Sequence, residues 1–190
     1  MDAHPVAIYD ANALYPAQLR DLLLRLATGD LMRPHWSDEI HDEWTRNVHA
    51  DRPSVTWEDL EYTRGEMERA FPDASVDGYQ DHIGTLSLPD PGDRHVLAAA
   101  IEVGADYIVT FNLGDFAAAQ LGPHGIEAAH PDSFAYLLMD RDLEGVLGVA
   151  AEHRGSLRKP PLGAGEYLEA LRNAGLEVAA ERLGNHRGRL

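Results

Sequence analysis

The sequence predicts an α/β fold in which a parallel sheet is flanked by helices on both faces and is followed by a small C-terminal helical extension. Short apolar runs at Val6–Tyr9 and Tyr107–Val109 alternate with helical patterns, as expected for β-α-β units. After Pro131 the apolar spacing is helical throughout. We therefore expect a sheet-containing domain at residues 1–135 and a helical extension at residues 136–190.

Helix start and stop signals set the order of the elements. Ser37 and Thr56 are N-cap candidates, and Asp59 completes a capping box with Thr56. Gly104 closes the helix that follows Asp93. In chain order we expect a strand at residues 6–9, a turn at 11–13, a helix at 16–27, a short strand at 31–32, helices at 38–48, 57–71 and 79–84, the helix closed by Gly104, strands at 107–109 and 126–129, and helices at 132–139, 142–154, 164–174 and 176–184.

The composition excludes several classes of protein. No run approaches the roughly 18 apolar residues that a membrane-spanning helix needs, and the N-terminus lacks a signal-peptide pattern, so we expect a cytoplasmic protein with no membrane partner. Cysteine is absent, which excludes a disulfide scaffold, a thiolate metal site and a catalytic thiol. A bound metal would therefore need carboxylate, amide or imidazole ligands.

The charge is strongly negative and unevenly distributed. The net charge is −16, and residues 1–150 carry nine basic against 27 acidic side chains. Such a surface repels nucleic acid, so a nucleic-acid substrate would have to be held by local basic patches. Arg94 is the candidate next to the acidic residues, and the C-terminal candidates are Arg154, Arg158, Lys159, Arg187 and Arg189.

Acidic residues follow the predicted strands and begin the central helix. Asp10 ends the first strand, Asp93 lies in the first turn of the central helix, and Asp115 lies with Asn112 in the loop after Tyr107–Val109. The carboxyl ends of parallel strands border the functional crevice of an open sheet. Glu43, in the middle of a predicted helix, could point to the same crevice. Oxygen ligands of this kind suit Mg²⁺ or Mn²⁺.

Most of the acidic residues in these segments also have a purely structural explanation. Asp90 followed by Pro91 is typical of an N-cap with proline at the first helical position, and Asp93 would complete its capping box. A mid-helix Glu43 faces solvent by default, and Asp115 could be a turn residue. Asp10 is harder to explain in this way, because a carboxylate that ends a buried strand needs a partner.

Four segments at these positions carry a family pattern: Asp-Ala-Asn at residues 10–12, Ser-Asp-Glu-Ile-His-Asp-Glu-Trp at 37–44, Leu-Pro-Asp-Pro-Gly-Asp-Arg-His-Val-Leu-Ala-Ala-Ala at 88–100, and Val-Thr-Phe-Asn-Leu-Gly-Asp-Phe at 109–116. Together they resemble the PIN-domain ribonucleases and, within them, the VapC-type toxins of bacterial toxin–antitoxin pairs. The resemblance covers about residues 6–135. The helical tail is similar to the C-terminal extension of one VapC-like subgroup.

The resemblance implies a PIN-like fold and a set of site residues. It assigns Asp10, Glu43, Asp93 and Asp115 to the catalytic acidic cluster, which in the family holds one or two Mg²⁺ or Mn²⁺ ions. It implies that the Thr110 hydroxyl orients an acidic side chain. Asn112 stands where many members have another aspartate, which would weaken a second metal position. Supporting roles fall to Asn12, Asp90, Thr110 and Asn112, and a substrate-binding role to Arg94.

The function implied by the resemblance is endonucleolytic hydrolysis of RNA by an activated water, which leaves 5′-phosphate and 3′-hydroxyl ends. Its expected partners are the RNA substrate, a cognate antitoxin protein and a second copy of the chain in a homodimer.

Alternatives remain at this point. A PIN-like module that binds RNA or protein without catalysis fits the Asn112 departure. A phosphatase of the haloacid dehalogenase type would need a second aspartate in place of Asn12 and a late lysine that the chain lacks. The ten histidines are expected to be scattered over the surface.

Overall fold

The computed structural model describes residues 4–158 and 160–190, so the basic residue Lys159 lies outside the described part of the chain. The described residues form two compact units. The sheet unit contains the residues up to Tyr15 and Arg33–Ala129, and the helical unit contains Pro16–Met32 and His130–Leu190.

The helices of the described residues are, in chain order, α1 (Ala11–Leu14), α2 (Ala17–Thr28), α3 (Asp38–Asp51), α4 (Trp57–Ala70), α5 (Gln80–Ile83), α6 (Arg94–Glu102), α7 (Ala118–Leu121), α8 (Pro131–Arg141), α9 (Leu143–Ser156), α10 (Ala164–Asn173) and α11 (Glu177–Gly184). Short 3₁₀ turns occupy Pro91–Asp93, Gly122–His124 and Arg187–Arg189. None of the helices in the described part of the chain is long and apolar enough to cross a membrane.

The predicted α/β class is confirmed by a four-stranded parallel sheet. Its strands are β1 (Val6–Tyr9), β2 (Arg33–His35), β3 (Tyr107–Val109) and β4 (Glu127–Ala129), in the order β2-β1-β3-β4. Every pair is parallel. The carboxyl ends of the strands therefore meet at one edge of the sheet, which places Asp10 and Thr110 side by side after β1 and β3.

Two sequence predictions for this region are wrong. Leu31 and Met32 do not form the second strand, which begins at Arg33 opposite Val6. The N–H of Leu31 donates to the Leu26 carbonyl, so this apolar pair closes the end of α2 instead. The predicted turn at residues 11–13 is the short helix α1, because the Asp10 carboxylate accepts the N–H of its first residue.

Local capping signals predicted the starts of α3 and α4 correctly. The Ser37 hydroxyl accepts the N–H of Ile40 at the start of α3, at 3.3 Å. The Thr56 and Asp59 capping box at the start of α4 has both of its hydrogen bonds. Side-chain caps of this kind satisfy N–H groups that the first helical turn leaves without partners.

Two histidines are buried, contrary to the expectation that all ten lie on the surface. His41 and His153 are each 1% exposed. Trp44 Nε1 donates to His41 Nδ1 at 2.9 Å, and His153 Nδ1 lies 3.0 Å from the Tyr167 hydroxyl. Each imidazole has a polar partner, which offsets the cost of burying it.

The helical unit contains α2 and α8–α11. Within it α2 packs on α9, α8 packs on α9 and α11, and α10 packs on α11. Asp132 in the first turn of α8 is 8% exposed, and its two oxygens accept the N–H groups of Val178 and Ala179 at 2.9 and 2.8 Å. This carboxylate satisfies the first turn of α11 and ties that helix to α8.

Candidate functional site

Asp10 is fixed at the carboxyl end of β1 by four hydrogen bonds. Its backbone N–H donates to the Val109 carbonyl at 3.1 Å, which joins it to β3. Its Oδ1 accepts the N–H of Ala11 at 2.7 Å, and its Oδ2 accepts from Asn12 Nδ2 at 2.6 Å and from Thr110 Oγ1 at 2.7 Å. The residue is 4% exposed. These contacts leave the Asp10 carboxylate little freedom to rotate.

Asn12 and Thr110 link the ends of β1 and β3. Asn12 Nδ2 also donates to Thr110 Oγ1 at 3.0 Å, and its Oδ1 accepts the N–H of Phe111 at 2.9 Å. Thr110 Oγ1 accepts the N–H of Asn112 at 3.0 Å. With those two bonds accepted, the single hydroxyl proton of Thr110 goes to the nearby Asp10 carboxylate. The structure thus places the Thr110 hydroxyl where it orients Asp10.

The surroundings of Asp10 oppose its negative charge. Burial raises the pKa of the Asp10 carboxyl most, the hydrogen bond from Thr110 lowers it, and the charge of Glu43 raises it again, so that the net direction is upward. Both lone-pair positions of Oδ2 are used by Asn12 and Thr110, whereas Oδ1 accepts only one described bond. Oδ1 is therefore the oxygen that Asp10 could offer to a cation.

Asp90 and Asp93 lie on either side of the 3₁₀ turn that precedes α6. Asp90 Oδ1 accepts the N–H of Gly92 at 2.7 Å, so its predicted N-cap role is confirmed. The predicted capping box is not formed, since the side chain of Asp93 caps no helix. Asp93 is instead a partly buried carboxylate at the start of α6.

The pKa of Asp93 shows the effect of the neighbouring acidic residues. Its pKa is raised to about 6, first by burial and then by the charges of neighbouring carboxylates. Those neighbours are Asp10, Asp90, Asp115 and Glu43. The structure therefore brings Asp10, Glu43 and Asp115, together with Asp90, within electrostatic reach of Asp93.

Glu43 on α3 reaches this cluster beside a partly buried histidine, His95. His95 Nε2 lies 3.6 Å from Glu43 Oε2, and His95 Nδ1 lies 3.9 Å from Glu39 Oε2. Burial opposes charge on His95, but Glu43 and Glu39 outweigh it and raise the pKa of the imidazole. Glu39 in turn accepts a hydrogen bond from the Tyr79 hydroxyl at 3.0 Å.

Asn112 and Asp115 form a turn after β3, in which the N–H of Asp115 donates to the Asn112 carbonyl at 3.0 Å. Asp115 is partly buried and contributes to the pKa of Asp93, whereas Asn112 is exposed. Arg94 follows Asp93 directly, and its Nε donates to the Pro91 carbonyl at 3.0 Å. This bond fixes the guanidinium against the turn that carries Asp93.

Two of the C-terminal arginines that were candidates for RNA contact are engaged within the helical unit. Arg154 Nη1 donates to the Leu162 carbonyl at 2.8 Å. Arg189 forms a two-pronged ion pair with Glu144. These contacts give both residues a structural role.

The donor set fits a hard divalent cation by its chemistry. Several oxygen ligands of one charge are crowded together, and a cation would relieve the repulsion that raises the pKa of Asp93. Among residues 4–158 and 160–190, however, no group of three histidine or acidic side chains is already arranged around one point. The described side chains alone therefore do not form a complete ligand shell.

Sequence reasoning did not single out His95 and Glu39. Both lie inside the segments that carry the family pattern, and Glu39 and Glu43 are four residues apart on one helix. That spacing puts both carboxylates on one face of α3. Only the packing of α6 against that face identifies His95 as their common neighbour.

The fold and the acidic edge of the sheet define a class, and comparison with known families gives its name. The PIN domain family matches residues 7–114, which is more than half of the chain, so the chain belongs to the PIN domain family. The VapC50 C-terminal domain family matches residues 131–185.

One curated relative is "Putative ribonuclease VapC50" of Mycobacterium tuberculosis, which is 37% identical over 94 residues. The match covers 50% of this chain and 55% of the relative, so the chain spans about half the length of that protein. No solved structure shows a significant match to the chain.

Proposed function

We propose that the protein is a metal-dependent endoribonuclease, the toxin of a toxin–antitoxin pair. The carrying observation is the coupled carboxylate cluster at the carboxyl edge of the sheet, where burial and four neighbouring acids raise the pKa of Asp93 to about 6. Membership of the PIN domain family and the likeness to a protein named as a ribonuclease support the assignment.

In this proposal Asp10, Glu43, Asp93 and Asp115 hold Mg²⁺ or Mn²⁺. When bound, such an ion activates water for attack on phosphorus and neutralises charge on the phosphodiester oxygens. Asn12 and Thr110 keep Asp10 in one orientation through its Oδ2. Asp90 holds the turn that positions Asp93. The Asn112 carbonyl supports the turn before Asp115. Because its side chain is an amide, any second metal position has one carboxylate fewer.

Protons compete with the cation at Asp93. Below a pH of about 6 this carboxyl is mostly protonated, and it must lose its proton to bind metal. Metal affinity and cleavage should therefore fall as the pH drops through 6, and metal binding near or below this pH should release a proton.

RNA and an antitoxin are the proposed partners, and a second copy of the chain completes a homodimer. The net charge of −16 means that RNA needs a local basic contact, for which Arg94 beside Asp93 is our candidate. An antitoxin segment with basic side chains would complement the acidic surface. We place the protein in the cytoplasm and keep residues 1–135 as the nuclease domain and 136–190 as its extension.

Cleavage of a labelled total-RNA pool tests the proposal. The wild type and the double variant Asp10→Asn, Asp93→Asn are compared in Mg²⁺, Mn²⁺ or EDTA. The control variant Asp81→Asn, Glu102→Gln removes two negative charges on α5 and at the far end of α6. We expect cleavage by the wild type and the control with metal, and none by the Asp10 and Asp93 variant. If none of the three proteins cleaves RNA and metal does not raise the melting temperature, the result would support a non-catalytic binding module instead.

A further inference from the structure

We propose that His95 is a positioning residue that holds Glu43 in place at the acidic cluster and is itself held through Glu39 and Tyr79. This inference rests on the proposed function, because it assigns a role at the same site. Neither the resemblance nor the sequence pattern gave a role at the site to His95, Glu39 or Tyr79.

The first observation is the position of the imidazole between two carboxylates of α3. The His95 side chain is 11% exposed, and its two ring nitrogens face Glu43 Oε2 at 3.6 Å and Glu39 Oε2 at 3.9 Å. The Glu43 side chain is 39% exposed, so solvent alone would leave it many rotamers. Contact with the partly buried ring of His95 on one side reduces the number of rotamers open to Glu43.

The second observation is that the far side of the imidazole faces a carboxylate that is itself hydrogen-bonded. Tyr79 is 2% exposed, and its hydroxyl donates to Glu39 Oε1 at 3.0 Å. Within the described residues His95 Nδ1 is buried and has no hydrogen-bond partner at normal length, and Glu39 is the acceptor in front of it. The row Tyr79, Glu39, His95, Glu43 therefore runs from the buried hydroxyl to the acidic cluster.

The third observation is the place of His95 in the chain. It lies two residues after Asp93, at the start of α6, while Glu43 lies on α3. One short segment thus carries the proposed metal ligand Asp93 and also His95, which contacts the proposed metal ligand Glu43. A displacement of about 1 Å can cost a reaction about 100-fold, so a link between the two helices has a measurable consequence.

Mn²⁺ affinity of the full chain, measured by calorimetry, tests the role without relying on activity. We expect His95→Leu to weaken Mn²⁺ binding about 10- to 100-fold, the range for residues that orient metal ligands. His95→Gln should recover part of this loss, because its amide can donate a hydrogen bond to Glu43 from the same side. Tyr79→Phe, which removes only the anchoring hydroxyl, should cause a smaller loss. The matched control is His82→Leu, since His82 Nε2 contacts Glu102 Oε2 at 2.9 Å at the other end of α6.

A double-mutant cycle separates positioning from a general loss of structure. In a Glu43→Gln background, His95→Leu should weaken Mn²⁺ binding no further, because the residue that it positions is already gone. An equal loss in both backgrounds, or wild-type affinity in His95→Leu, would overturn the inference. If His95→Leu does not fold, the same cycle is run with Tyr79→Phe.

The outcome also distinguishes this inference from the proposed function. If the wild type binds Mn²⁺ and cleaves RNA while both His95 variants match it, only the positioning role fails. If the wild type neither binds Mn²⁺ nor cleaves RNA, the proposed function fails and the positioning role fails with it.

Discussion

Two buried aspartates, one in each unit, show how similar local geometry serves different ends. Asp132 in the helical unit and Asp10 in the sheet unit are 8% and 4% exposed, and each accepts backbone N–H groups at a helix start. The bonds of Asp132 join α8 to α11 and account fully for its burial. Asp10 also lies within electrostatic reach of the Glu43 and Asp93 carboxylates, whose charge its hydrogen bonds do not neutralise. A buried acid among like charges is a candidate for function, whereas a buried acid on helix N–H groups is a structural cap.

The largest expected effect is on catalysis. Asp10→Asn should reduce RNA cleavage by about 10²- to 10³-fold, because the variant loses one of the charges that we propose to bind the metal. Its melting temperature should fall modestly, because the amide keeps one oxygen acceptor and removes a buried charge but turns its NH2 group toward donors whose hydrogen bonds the second carboxylate oxygen now accepts. Metal-dependent cleavage rates and thermal unfolding of the same preparation check both statements. A variant that cleaves at the wild-type rate would remove Asp10 from the site.

Asp132→Ala should show the opposite behaviour. It leaves two N–H groups at the start of α11 without acceptors, so we expect the free energy of unfolding to fall by about 1–3 kcal/mol. Asp132→Asn should lose less, because one oxygen remains to accept. Chemical denaturation measures the change, and cleavage per folded molecule should stay at the wild-type level. Loss of cleavage at full folding would contradict the structural assignment.

The smallest expected effect concerns stability and pH at Asp93. Its pKa of about 6 in the folded chain lies above the usual value of 3.8, so between these values the folded state binds more protons than the unfolded state. Stability without metal should therefore fall as the pH rises from about 4 to 6. Asp93→Asn should raise the melting temperature at pH 7.5 and leave it unchanged near pH 3.5. The same change in melting temperature at both pH values would show that burial and the neighbouring charges do not disfavour the ionised form of Asp93.

The sequence was informative where the signal is local. Capping by Ser37 and Thr56, and the acids that end β1 and begin α6, depend on residues a few positions apart. The start of β2 could not be predicted from its own residues, because pairing with Val6 determines it. The burial of His153 depends in the same way on Tyr167, 14 residues later.

In the candidate site, too, the sequence predicted which carboxylates take part, whereas the contacts around them required the fold. The identities of its carboxylates came from their places at strand and helix ends and from the family pattern, but their effect on the pKa of Asp93 required the fold. The contact of His95 with α3 is a tertiary contact between two helices, and no short-range signal announces it. Long-range contacts therefore supplied what the sequence pattern lacked.

The central claim is that the carboxylates of Asp10, Glu43, Asp93 and Asp115 form a metal site. The most direct measurement is anomalous diffraction from crystals of the full chain grown with Mn²⁺. The account predicts a peak at the carboxyl edge of the sheet, at about 2.0–2.3 Å from Asp10 Oδ1 and an oxygen of Asp93. A well-occupied Mn²⁺ bound elsewhere, with this edge free of it, would contradict the account.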